Sequence, residues 1–509
     1  MAGIRNHLAA ARCTNFPMIH SLIGALLLAV TPVSKVDRLR TKVIFSETAN
    51  LTYQLDVMSG MLPHVTSADF AALWTKEFLK SAEDRRFVKQ WSDLEHRYDK
   101  SIPLDVPDMP MERPYSYVSL FERIRMAGLR STSTDDFLNQ VSLLVQPRDE
   151  IQYATVLRHF EQPFHEWWQR EAAGQGRTFA GGLRRLMTEK RIQDRMEQFR
   201  KFYGPDLPAN YEAPFSLIYR PGLAKAPTSG QQLDGISVVE FLPKEKPERR
   251  IDVILHEFCH FLYRSRTDAA TEKFQQRFVD TGDSVARPAF NLLNEGFATA
   301  LGNGIIGRQM RTQQEWDAFV SRPLSLYNDP YIDRAGKQLL VLVDDWLPKG
   351  KTLDSPEFAS AYLSAMKHEF GAELTAPSLY LNEAYLYIDQ RIGQEFSGEL
   401  RRELHISGAY TSVSDRVTAE TVGDFAQQPN LSAVFVIPPD QIDALVSTGV
   451  IDVADATTIR RAKKPALFGR RRGATAYTFV ILAESASEAK PALKNLALAK
   501  SMFMGVYQP

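Results

Sequence analysis

The chain is poor in cysteine: among its 509 residues only Cys13 and Cys259 carry a thiol. That scarcity excludes a small scaffold stapled by disulfides. Neither sign of charge is in excess, with 61 Lys and Arg against 61 Asp and Glu, so nothing global points to nucleic acid and no nucleic-acid partner is expected. Beyond the N-terminus no uncharged run is long enough to span a bilayer. The chain also lacks a P-loop, a G-x-S-x-G nucleophile elbow, a Cys-x-x-Cys pair and any repeat of solenoid period. What it has in quantity is apolar residue, 44%, ample for real cores at a length that suggests two to four domains.

At the N-terminus Arg5, His7 and Arg12 precede an uncharged stretch from Cys13 to Ser34 centred on Leu22–Val30. A basic n-region before an apolar h-region reads as a signal peptide over 1–34, cleaved around Ala29–Ser34, or as an anchor if it is retained. Export to the periplasm or the extracellular space is the expectation, with membrane association confined to this segment. Removal of the leader would leave Cys259 as the one thiol.

In a helical N-terminal domain expected over 35–204, Lys42 to Tyr53 shows strand-like patches and helical spacing then dominates, as in Phe70, Leu73, Trp74 and Phe78 behind a Thr66/Ser67 cap. Periodic stretches continue over 116–127, 134–144, 149–170 and 179–203, where aromatics such as Trp167 and Trp168 fill a core. Gly204-Pro205-Asp206-Leu207-Pro208 marks a boundary. Two strand-like runs, Phe215–Tyr219 and Ile236–Phe241, then flank a Pro/Gly-rich turn, and helices resume from Arg250 to about Arg391. The last part, 396–509, reads as a small α/β module with strands near 431–437 and 474–483. The expected fold class is α+β, mostly helical, with a zincin-like domain at 205–395 and a small edge sheet able to bind a substrate backbone as an added strand.

The chemistry concentrates in Leu255-His256-Glu257-Phe258-Cys259-His260, an H-E-x-x-H. Two histidines four apart lie on one face of a helix and can reach one metal ion, with Glu257 beside it. The flanking residues are uncharged, and a buried helix carrying these polar groups requires compensation. Glu295 follows 35 positions after His260, room for a helix to end and another to return. Phe290, Leu293, Phe297 and Leu301 give that second helix an apolar stripe.

These residues resemble the gluzincins, zinc peptidases with an H-E-x-x-H helix and a Glu ligand on a following helix. Asn294-Glu295-Gly296-Phe297-Ala298 is similar to the N-E-G-F-A string of M1-type aminopeptidases. The resemblance covers about fifty residues. The gap to Glu295 is longer than in M1 enzymes, no G-x-M-E-N motif lies upstream, and Thr299 stands where thermolysin-like enzymes carry an Asp supporting a zinc histidine. The resemblance implies Zn2+ held by His256, His260 and Glu295, with Glu257 as the base activating water for peptide-bond hydrolysis. A further donor is needed for the oxyanion. Tyr331 is the first candidate, with Tyr327, Arg334 and Tyr385 beside it. The substrate class is then a peptide or protein. A catalytically silent zincin-like scaffold of the cell envelope is the alternative, and hydrolysis of a non-peptide bond a third option. Cys259 reads as a small buried hydrophobe, His368-Glu369 as surface, and the basic run Arg460–Arg472 as a solvated loop between strands.

Overall fold

The computed structural model describes residues 39–62, 68–98, 111, 119–208, 210–221, 228–406, 408–426, 428–473 and 475–508. The expected leader with Cys13, and the Thr66/Ser67 cap, lie outside these residues. The fold is α+β and mostly helical, with two mixed sheets. No helix among the described residues is long and apolar enough to cross a membrane.

Local sequence accounts for where most helices begin. Ser46 accepts a hydrogen bond from the Ala49 amide and opens helix Glu47–Met58, where strand-like patches had suggested extended chain. Only β1 (Arg40–Ile44) of that region is a strand. The helix is buried over Thr48–Val57, and its polar residues are satisfied by tertiary partners. Asn50 donates to the Leu217 carbonyl at 3.1 Å and accepts from the Tyr219 amide at 2.7 Å, stitching the helix to the neighbouring strand. Pro147 opens the helix Pro147–Trp167 at its first turn, which a π-helical turn (Trp168–Ala172) joins to Ala173–Glu189. The single helix expected over 179–203 is two. Arg191, at φ 50°, breaks it before Ile192–Tyr203.

The first sheet contains β1, β2 (Glu212–Tyr219), β3 (Gly230–Leu233) and β4 (Ile236–Phe241) in the order β1-β2-β4-β3. The first three neighbours run parallel, and β3 closes one edge antiparallel to β4. The stretch containing β3 reads as a turn because Gly-Gln-Gln-Leu has no apolar alternation. Tertiary pairing makes it a strand, returning through Asp234-Gly235 with Gly235 at φ 73°.

The second sheet comprises β5 (Glu383–Asp389), β6 (Gly408–Ser414), β7 (Ser432–Ile437), β8 (Ala466–Arg472), β9 (Ala476–Leu482) and β10 (Gly505–Val506), ordered β10-β8-β9-β7-β5-β6. Alternation places Leu386, Val434, Phe479 and Ile481 in one apolar cluster and Tyr387, Phe435, Val480 and Leu482 in another. Both faces are therefore buried. The basic run ends a helix at Arg460 and Arg461 and lies in β8 at Arg470–Arg472, where Arg472 sits 3.5 Å over the Phe425 ring and donates to the Phe425 carbonyl.

One continuous apolar core extends from Leu39 to Leu379, joining the helical first part to the β1–β4 sheet and the helices after it. No separate cores meet at 204/205. The second sheet begins at β5, so its strands start before the boundary expected at 395/396.

Candidate metal centre

Helix Ile251–Arg264 carries the H-E-x-x-H residues and is buried from Ile254 to Tyr263. Asp252 in its first turn and Arg264 in its last suit the helix dipole. It packs on one side against β3 and β4 and on the other against a helical run, Leu293–Ala298 followed by a π-helical turn over Thr299–Ile306. Between these two runs lie the helices Asp268–Asp280 and Ala286–Asn291. Gly302 makes the approach possible: a Cβ there would lie 2.4 Å from the His256 amide nitrogen and 2.5 Å from its Cα.

His256, His260 and Glu295 come together. Their ligand atoms all lie within 4.8 Å of one another. The two Nε2 atoms are 3.0 Å apart, and each is 3.5 Å from one Glu295 carboxylate oxygen. Bonds of about 2.0–2.1 Å to a tetrahedral zinc would set ligand atoms about 3.3 Å apart, so the observed spacing matches the edges of such a site.

The protonation pattern points the same way. His256 Nδ1 lies 2.8 Å from Asn303 Oδ1, and His260 Nδ1 lies 3.1 Å from Asn294 Oδ1. An amide oxygen only accepts, so each Nδ1 carries the proton and each Nε2 presents a lone pair. Two lone pairs and a carboxylate then converge on one point, an arrangement that repels itself without a cation. Glu295 Oε2 is buried with no hydrogen-bond donor. The donor set of two nitrogens and one carboxylate fits a catalytic zinc with an open fourth position.

The supporting residues were not legible in advance. Asn303 takes the place that Thr299 does not fill, because the π-helical turn shifts the register by which a side chain returns to His256. Asn294 was visible only as part of the string around Glu295.

A cleft of about 560 Å³ opens onto the three ligands. Its wall includes Glu257, Gly230, Gln231, Gln232, Arg125, Arg264 and Tyr327. Burial pushes the Glu257 carboxyl up to about 7, with His256 pulling it down and Glu295 pushing it further up. A Cβ on Gly230 would fall 2.6 Å from Glu257 Oε1, so the edge strand passes directly over this carboxylate.

Of the candidate oxyanion donors, Tyr327 is at the cleft. Its ring stacks on His256 with centroids 5.6 Å apart, and the Glu295 charge together with burial raises its hydroxyl, keeping it protonated. Tyr331 does not line the cleft. It packs against Phe370 and His405, because a position four residues further along points away at the start of helix Pro330–Trp346. Arg334 is tied to Glu369 and Glu373. Tyr385 stands in the second sheet, donating to the Thr421 carbonyl. Cys259 is fully buried, and burial raises its thiol.

Searches against protein-family models, curated proteins and solved structures returned no match to this chain.

Proposed function

We propose that this protein is a zinc-dependent hydrolase of peptide bonds. The observation that carries the reading is the convergence of His256 Nε2, His260 Nε2 and the Glu295 carboxylate, whose ligand atoms all lie within 4.8 Å of one another. His256, His260 and Glu295 would hold the zinc ion, which would supply Lewis acidity and acidify water at the site, by general precedent to a pKa of about 7. Glu257, buried beside the site and raised to about 7, takes the proton of the attacking water and delivers it to the departing amine nitrogen. The Tyr327 hydroxyl, kept protonated, donates to the oxygen that gains charge. Asn303 and Asn294 hold both imidazoles in the tautomer that leaves Nε2 free.

The edge strand β3 gives the cleft a wall for an extended chain. Strand β4 pairs with only one side of β3, and bare Gly230 lets a backbone approach Glu257. The leader pattern at 1–34 adds export to the reading, since a metallopeptidase sequestered from the cytoplasm spares its host's proteins.

The test is Glu257→Gln in the full chain. It should retain one equivalent of zinc by metal analysis and lose peptide cleavage by about 10²–10⁴-fold, whereas His256→Ala should lose both. Unchanged cleavage by Glu257→Gln rejects the mechanism. A zinc-loaded parent that leaves every peptide of a diverse mixture intact favours a silent scaffold.

A further inference from the structure

One charged side chain in the cleft wall has no role in the chemistry above. Arg125, on helix Leu120–Arg130, has only 6% of its side chain exposed, yet it borders the same cleft as Glu257 and the metal ligands. Its Nη2 donates to Gln231 Oε1 at 3.0 Å, and its Nε lies 3.5 Å from Asp56 Oδ2. Nη1 makes no hydrogen bond among the described residues. The guanidinium is thus held from behind and along one edge, with donors of its planar fork left facing the cleft.

Its place along β3 sets its distance from the reacting bond. Gly230 sits over Glu257, and the next residue, Gln231, fixes Arg125. The residue after that, Gln232, offers its carbonyl to Arg264 Nη1 at 3.2 Å. Successive strand residues advance about 3.3 Å. A group on Arg125 therefore lies within one or two residues of a bond positioned at Glu257.

The charge balance of the wall restricts what that group is. The cleft is bordered by Glu122, Glu257, Glu295 and Glu383 against Arg125 and Arg264. Even with a divalent cation on the ligands this wall carries no net positive charge, so a dianion such as phosphate finds no excess of attraction there. A single planar carboxylate matches the free fork at the lowest added charge.

We propose that Arg125 is a substrate carboxylate receptor, selecting peptides with a carboxylate one or two residues from the bond that is cut. Because the bond in question is the one the metal centre would hydrolyse, this rests on the peptidase reading. Two sources supply a carboxylate, the C-terminus of a peptide or an Asp or Glu side chain.

The test uses three blocked peptides on the full chain: acetyl-Ala-Ala-Ala acid, its C-terminal amide, and acetyl-Ala-Ala-Glu amide. Binding is measured by calorimetry on metal-stripped protein, and cleavage on zinc-loaded protein with longer peptides of the same three endings. At least one carboxylate peptide should bind about tenfold or more tightly than the neutral amide, and Arg125→Gln should abolish that preference. Preference for the acid alone identifies the C-terminus as the source, and preference for the Glu amide identifies the side chain. Since Arg125→Gln strands Asp56, the double variant Arg125→Gln/Asp56→Asn removes both charges together and carries the test if the single variant does not fold. Equal or undetectable binding of all three peptides, or a preference that survives in the variants, overturns the proposal. A parent that shows the Arg125-dependent preference yet cleaves nothing overturns the peptidase reading and leaves the carboxylate receptor standing.

Discussion

Gly302 offers the sharpest test of how the metal centre is assembled. An alanine Cβ at this position would meet the His256 nitrogen, Cα and Cβ at 2.4, 2.5 and 2.9 Å. Ordinary contacts begin near 3.4 Å, so the π-helical turn and the motif helix must part by about 1 Å, and the obstructing atoms are backbone that cannot rotate aside. Overpacking of this kind costs about 1–3 kcal/mol, with backbone obstruction at the upper end. Helix propensity returns at most about 1 kcal/mol for Gly→Ala. A net loss of about 2 kcal/mol is expected. Gly304, two residues on in the same turn, is the control. There the added Cβ presses on the tip of the Leu340 side chain, at 3.0 Å, and meets the Thr299 carbonyl at an ordinary 3.5 Å, so Gly304→Ala should be close to neutral. The parting also moves Asn303 and Glu295 away from His256, and zinc affinity should fall about 10–100-fold in Gly302→Ala alone. Chemical denaturation reads the first effect and competition with a chromogenic chelator the second. A Gly302→Ala protein as stable as the Gly304→Ala control, with parental zinc affinity, would refute the argument that close approach of these two helices builds the site.

Three further outcomes follow from the same geometry. Asn303→Ala and Asn294→Ala each free one imidazole to adopt the other tautomer, and each should weaken zinc binding by about 10–100-fold while leaving the far-ultraviolet spectrum unchanged. Tyr327→Phe should lower kcat by about 10²-fold with zinc retained, whereas Tyr331→Phe should leave kcat within about twofold; the reverse ranking would restore Tyr331 as the donor. The clasp between His405 Nδ1 and Asp329 Oδ2, at 2.5 Å, joins the second sheet's module to the start of helix Pro330–Trp346. Its hydrogen bond to Asp329 raises the His405 imidazole above its ordinary 6.5, a contribution fully present below that value and lost as pH rises through the folded value. Burial opposes ionisation of Asp329, but the bond to His405 still lowers it below 3.8, a contribution present above that value and lost as pH falls through the lowered one. The stability gap between parent and His405→Gln, followed by denaturation, should therefore be widest from about pH 4 to 6.5 and narrow above and below. A gap that grows from pH 7 to 9 contradicts the clasp.

Most of the helices were legible because caps and periodicity are local. The periodic runs at 134–144 and 149–170 are the helices Thr134–Val141 and Pro147–Trp167, the second with proline in its first turn, whereas helix Glu47–Met58 behind Ser46 was hidden by its strand-like residues. The strands β3, β5, β6 and β8 were less visible. Gly-Gln-Gln-Leu in β3 has no pattern of its own, and Glu383–Asp389 follows helices closely enough to be absorbed into them. Each is a strand because a distant segment pairs with it, as β4 does with β3 and β7 with β5.

The sequence by itself determined that His256 and His260 share a face with Glu257 beside them, because a spacing of four residues is a property of any helix. It also singled out Glu295, through the need of such a pair for a third ligand and the likeness of Asn294–Ala298 to the gluzincin string. Only the tertiary structure decided that Asn303 and Asn294 fix the imidazoles, that Tyr327 rather than Tyr331 faces the cleft, and that Arg125 reaches it from another part of the chain. Periodicity states which side of a helix is apolar. It does not state which helix arrives there, and Arg125 stands 131 positions before His256.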